Sequence, residues 1–215
     1  MNRIKPLDSL RGICALMLVI FHFSHKETCL TDNFFVRRAE LLVDFFFVLS
    51  GFVISLNYYK SNKTFTKDDF FIFLKKRFIR LYPLLLYTVL IYFGYEMLIK
   101  TFVNQKNPAD TGEQLWQLFD SLTFLNSTPL LGTTNGMNGA SWSISAEMFS
   151  YIVFGLLMIL HHKSRNLISL IIIIGAIIFV YYKNQFLFTG DFGFVRGMYC
   201  FLVGYFTLCL SLIHI

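Results

Sequence analysis

At 215 residues, 55% hydrophobic and only 15% charged, the chain is too apolar for a water-soluble domain. Its formal charge of +6 sits mostly in loops on one side of the apolar runs, which excludes reading it as a nucleic-acid signal. Phenylalanine alone supplies 26 residues, a usage that suits lipid-facing helix surfaces, so the composition predicts an all-α, polytopic transmembrane helix bundle of multi-pass type.

The first apolar run covers 7–23 and is interrupted by Arg11 near its start and His22 near its end. An offset of eleven residues returns to within about 20° of the same helix face, with an axial separation of about 16 Å. Asp8, three residues before Arg11, can pair with it. A charged group and an imidazole on one face of a membrane-length helix are costly, which marks them as functional candidates. The plainer alternative is that Arg11 anchors the cytoplasmic edge and His22 snorkels to the interface. No small-x-small cleavage site follows the run, so it reads as a retained helix rather than a signal peptide. Cys14, Cys29, Cys200 and Cys209 have no C-x-x-C spacing and read as inert thiols, with neither a zinc site nor a disulfide framework expected.

Six segments are long and apolar enough to span: 7–23, 41–58, 82–99, 142–160, 167–182 and 192–215. Within the mixed loop 100–141, residues 114–125 alternate in a helix-like way and suit an interfacial or re-entrant element. The triplet Asn126-Ser127-Thr128 has the form of a glycosylation sequon but arises often by chance. Arg3, Lys5, Arg11, Lys75, Lys76, Arg77 and Arg80 fall on one side, and fewer basic residues, including Arg38, Lys183 and Arg196, on the other. That split predicts a cytoplasmic N-terminus, with His22 toward the outer leaflet. The last run reaches Ile215 without a polar tail, which reads as a single domain over 1–215 cut inside a longer protein.

Three further stretches carry chemistry. Ser50-Gly51, after Asp44-Phe45-Phe46-Phe47-Val48-Leu49, allows close approach of a helix or a ligand. In Phe73-Leu74-Lys75-Lys76-Arg77-Phe78-Ile79-Arg80-Leu81-Tyr82-Pro83, the Lys76, Arg77 and Arg80 side chains form a cationic cluster at the membrane surface. Such clusters commonly fix topology or bind anionic lipid, yet forked guanidiniums also suit the phosphates of a cytosolic donor. The fourth span opens Ser141-Trp142-Ser143-Ile144-Ser145-Ala146-Glu147-Met148-Phe149-Ser150-Tyr151, with Ser143, Glu147 and Tyr151 as a polar stripe at a four-residue period. A carboxylate there is expected to face the bundle interior with a partner, for which His22 and Arg11 of the first span are the candidates. The turn Asn135-Gly136-Met137-Asn138-Gly139 before it reads as a mobile entrance.

Taken in order, Leu7-Asp8-Ser9-Leu10-Arg11-Gly12 with His22, the stretch 45–52, the stretch 75–83, the stretch 141–151 and the segment Arg196–Gly204 resemble the motifs of the acyltransferase family 3 membrane proteins. The resemblance covers almost the whole chain and implies a fold of about ten spans, of which about six lie here. It implies transfer of an acyl group, usually acetyl, from cytosolic acyl-CoA to a hydroxyl of an extracytoplasmic glycan or lipid-linked saccharide, in the bacterial plasma membrane. Carried over by position, His22 is the expected catalytic base, Arg11 its companion and Glu147 a third member of the site. Arg77, Arg80 and Lys76 are the expected acyl-CoA contacts, and Ser143, Trp142 and Tyr151 the expected substrate-binding residues. No metal is implied.

Two rival readings use the same residues. An ion- or proton-coupled transporter can employ His22, Glu147 and Arg11 as an intramembrane relay. No repeat relates the first three segments to the last three, as many carriers would show. A non-catalytic scaffold leaves so many intramembrane polar residues without a purpose.

Overall fold

The computed structural model describes residues 5–24, 34, 38–60, 64–102, 111–131, 136–184, 186–187 and 189–213. Cys29, His25 and Asn135, and the side chain of Asp8, lie outside the described residues. Seven helices are described: α1 Lys5–Ser24, α2 Leu41–Lys60, α3 Lys67–Phe102, α4 Thr111–Leu122, α5 Trp142–Ile159, α6 His162–Tyr182 and α7 Gly193–Ile213. The architecture is an all-helical, polytopic bundle. Five helices, α2, α3, α5, α6 and α7, are long and apolar enough to cross a membrane. The expected first span is a helix of 20 residues, Lys5–Ser24, about 30 Å long.

Hydropathy placed the third span at 82–99, after a loop carrying the cationic cluster, but α3 begins far earlier, at Lys67. A reciprocal cap sets that start. Thr66 Oγ1 accepts from the Asp69 backbone N–H at 3.3 Å, and Asp69 Oδ2 accepts from the Thr66 backbone N–H at 3.0 Å and from its hydroxyl at 2.7 Å. This Ser/Thr-x-x-acid arrangement satisfies donors that open a helix, and Asp68 and Asp69 favour its positive end. The helix runs on through Lys75, Arg77, Arg80 and Pro83 for 36 residues, about 54 Å, well beyond the hydrocarbon thickness. The cationic residues are therefore displayed on a rigid rod.

The chain divides into two compact units, one of 1–61 with 200–215 and the other of 62–199. In the first, α2 and the end of α7 meet at two glycines. A Cβ on Gly51 would fall on the main chain of Phe201, and one on Gly204 on the main chain of Val48 and Phe52. The Ser50-Gly51 step is thus a helix-crossing point, with Phe47, Leu49, Phe201, Tyr205 and Leu208 buried around it. Cys14 and Cys200 are buried and Cys209 is half-buried.

In the second unit α3 packs along α5, with α4 against α3 and α6 against α5. Leu85 and Val89 of α3 are fully buried with Phe124 and Met137, and Leu81, Leu118, Leu122, Ile144 and Met148 close around them. Facing outward, Leu84, Tyr87, Ile91 and Leu98 of α3 and Ile171, Ile174 and Ile178 of α6 give the exposed apolar surface that hydrocarbon would cover.

Residues 114–125, expected at the interface, form most of α4, and the helix is inverted relative to one lying on water. Leu115, Trp116 and Phe119 are exposed, whereas Gln114, Asp120 and Ser121 are buried. Trp116 Nε1 also donates to the Leu131 carbonyl at 2.8 Å, which satisfies its polar edge without water. An apolar outer face with a polar inner face fits lipid as the outer medium. Of the two tryptophans, only Trp116 is exposed, so brominated phospholipid should quench the intrinsic tryptophan emission, and Trp116→Phe should remove most of that quenching. Undiminished quenching in Trp116→Phe, or none in the unmodified protein, would place α4 elsewhere.

Candidate active site

The first unit holds α1, with two of the expected residues. Arg11 is half-buried and His22 exposed, and the His22 ring meets Phe21 edge-on with centroids 5.4 Å apart. Continuous helix from Lys5 to Ser24 keeps both on one face, as their spacing predicts.

The second unit brings together four of the other expected residues, across the α3–α5 contact. Phe73, Arg77 and Arg80 recur along one side of α3 at four- and three-residue steps, and Glu147 and Tyr151 along α5 at a four-residue step. The Arg77 guanidinium carbon lies 5.4 Å from the ring centroids of both Phe73 and Tyr151. Those two rings meet edge-on at 5.9 Å, and both are buried. The Tyr151 hydroxyl donates to Glu147 Oε1, and Arg77 and Arg80 both act electrostatically on that hydroxyl. Arg77 Nε is buried without a hydrogen-bond partner among the described residues. Arg80, Lys75 and Lys76 are exposed. Chemically, the cluster offers a carboxylate held by a phenol, a cation shielded by rings, and an accessible guanidinium beside them.

At the start of α5 the picture differs from the simple stripe. Ser143 donates to the Ala140 carbonyl at 3.0 Å and is half-buried. Trp142 is buried beneath Arg196, whose guanidinium carbon is 5.3 Å from the ring. The charge pattern counted Arg196 on the outer side as a basic residue like the others; its side chain is buried, 1% exposed, in the first turns of α7. An aromatic face tolerates a poorly hydrated guanidinium, which is why a cation can be kept there. Asn126 is also fully buried: its Nδ2 donates to Ser141 Oγ at 2.7 Å, and its Oδ1 accepts from Ser145 Oγ. The sequon is therefore closed to glycosylation. The turn expected to be a mobile entrance is anchored in its described part, with Met137 buried and its N–H donating to Ser121 Oγ at 2.9 Å.

Arg196 and Asn126, like Gln114 and Asp120 of α4, are polar residues whose burial the residue pattern did not show. Arg196 opens a motif quoted for the family resemblance, which was the available signal; nothing in sequence distinguished Asn126 from a chance sequon. Among the described residues, no group of three or more His, Cys, Asp and Glu could hold a metal ion.

No solved structure matches the chain. The chain is 32% identical over 166 residues to "Protein 2 in picA locus" of Rhizobium radiobacter, covering 71% of this chain and 81% of that protein. It is 26% identical over 184 residues to the O-acetyltransferase OatA of Staphylococcus aureus, covering 80% of this chain and 28% of OatA. It is 24% identical over 184 residues to the O-acetyl transferase of Shigella phage Sf6, covering 81% of this chain and 51% of that protein. A family model described as an acyltransferase domain matches residues 4–210, and the chain, an acyltransferase domain over nearly its whole length, belongs to acyltransferase family 3.

Proposed function

We propose that the protein is a membrane O-acyltransferase that moves an acyl group, acetyl by preference, from cytosolic acyl-CoA to a hydroxyl of an extracytoplasmic glycan or lipid-linked saccharide. The observation that carries this reading is the α3–α5 cluster. An exposed Arg80 and a shielded Arg77 stand beside the Tyr151–Glu147 pair at the helix contact that dominates the second unit. Relatives named as O-acetyltransferases support acetyl as the group and oxygen as the acceptor atom.

In the proposed reaction the acceptor hydroxyl oxygen attacks the thioester carbonyl carbon while His22, as base, takes its proton. The C–S bond breaks, the CoA thiolate leaves and is protonated, and the acceptor carries a new O-acyl ester. Arg11, on the same face of α1 but about 16 Å along the axis from His22, is its companion toward the donor side, and Glu147 is the third polar member. Arg80 and Lys76 meet the CoA phosphates from the cytoplasmic side, the orientation that the basic residues favour. Ser143 lies toward the acceptor at the start of α5, with Trp142 as its support, and Tyr151, farther along the helix, meets the substrate through the Glu147 carboxylate that it holds.

Membrane vesicles of defined sidedness test donor, group and orientation together. Inside-out vesicles given [14C]acetyl-CoA should acquire alkali-labile label on saccharide, identified as added acetyl by mass spectrometry, and right-side-out vesicles should not. Equal labelling from both sides would overturn the orientation. No gene-dependent label in either would overturn the reaction.

A further inference from the structure

Two arginines three residues apart on a helix invite a shared role, but Arg77 and Arg80 occupy different environments. Arg80 is exposed. Arg77 is half-buried, with rings of Phe73 and Tyr151 each 5.4 Å from its guanidinium carbon. The CoA phosphates are bulky, hydrated dianions, and a group that reads them must be reachable from water. Arg80 and Lys76 meet that requirement. Arg77 has given up hydration for two aromatic faces, an arrangement that favours the planar, weakly hydrated guanidinium over an ammonium.

What Arg77 touches matters more than what it could reach. Its cation lies against the ring whose hydroxyl donates to Glu147, and Phe73 touches both, with Phe154 packed on Phe73 at 6.1 Å. Tyr151 is almost fully buried, so the ring has little freedom once the guanidinium is in place. The direction of the Glu147 carboxylate is then set through Tyr151 by Arg77. We infer that the two arginines divide the work: Arg80 meets the donor phosphates, whereas Arg77 is a positioning residue that fixes the Tyr151–Glu147 pair. The assignment rests on the acyl-transfer reading above.

Steady-state acetyl transfer in inside-out vesicles, with acetyl-CoA varied, separates the two roles. Arg80→Gln should raise KM for acetyl-CoA by about tenfold or more, the loss expected for charged hydrogen bonds, with the rate at saturating acetyl-CoA within a few-fold. Arg77→Lys keeps the charge but cannot stack flat, so it should leave KM within about threefold and lower the saturated rate by about tenfold or more. Tyr151→Phe, which keeps the ring and removes the donor to Glu147, should reproduce the Arg77→Lys pattern. Thermal unfolding in detergent confirms that each variant is folded, and Arg77→Lys is chosen because it is the least disruptive. The assignment falls if Arg77→Lys raises KM as Arg80→Gln does while the saturated rate is kept, or if Tyr151→Phe transfers at the full rate. Absence of acetyl-CoA-dependent transfer by the unmodified protein would instead overturn the reaction, and the assignment with it.

Discussion

Replacing His22 with alanine is expected to lower acyl transfer by about 10²-fold or more, while acetyl-CoA binding stays within a few-fold. The first half follows from chemistry. An alcohol is a poor nucleophile until a positioned base takes its proton, and imidazole is the side chain whose basicity suits that task near neutral pH. The second half follows from placement. The proposed phosphate contacts all belong to α3 and His22 belongs to α1, so its truncation removes none of them. Its exposure means that truncation leaves no cavity in a packed core. His25, beyond the apolar run in sequence, is the control, and His25→Ala should transfer normally. A carrier that used His22 as a proton relay would lose transport without ever releasing CoA, so CoA release measured as free thiol distinguishes enzyme from transporter. Near-normal transfer by His22→Ala, or equal damage from His25→Ala, would remove His22 from the reaction.

The parts of the fold read correctly from sequence are those governed by hydropathy alone. The spans α2, α5, α6 and α7 emerge because each must be apolar over a membrane thickness, a requirement that no tertiary contact relaxes. The start of α3 did not emerge, because the Thr66–Asp69 cap acts through hydrogen bonds that a hydropathy window cannot register. Charge counting could not register the burial of Arg196 for a related reason. It treats every basic residue as solvated, whereas the Trp142 ring gives this guanidinium an interior site. Glu147 and Tyr151 were legible as members of one stripe, since a four-residue helical step brings such side chains together, but the expected partner of the carboxylate was His22 or Arg11 rather than the tyrosine. That Arg77 joins it depends on the α3–α5 contact, which lies between segments distant in sequence and leaves no local signature. Periodicity thus located the polar residues on their faces, and packing decided which of them meet.

The largest stability effect is expected at Gly51 and Gly204. A methyl on either would coincide with main-chain atoms of the facing helix, Phe201 for the first and Val48 with Phe52 for the second. Side chains can rotate away from an added methyl, but a helix backbone cannot without breaking its own hydrogen bonds, so α2 and α7 must move apart. Separation would loosen the packing of Phe47, Phe201 and Tyr205, all buried in this unit. Gly51→Ala and Gly204→Ala should therefore each destabilise the protein by about 3 kcal/mol, at the high end for overpacking because the obstacle is rigid. Gly94 and Gly175 lie in helix interiors with nothing within 4 Å of a Cβ. There alanine should gain up to about 1 kcal/mol from helix propensity. Thermal unfolding in detergent should accordingly show lowered midpoints for the first pair and unchanged or raised midpoints for the second. Equal midpoints across all four variants would mean that α2 and α7 do not cross at these glycines, since propensity alone favours alanine at every one of them.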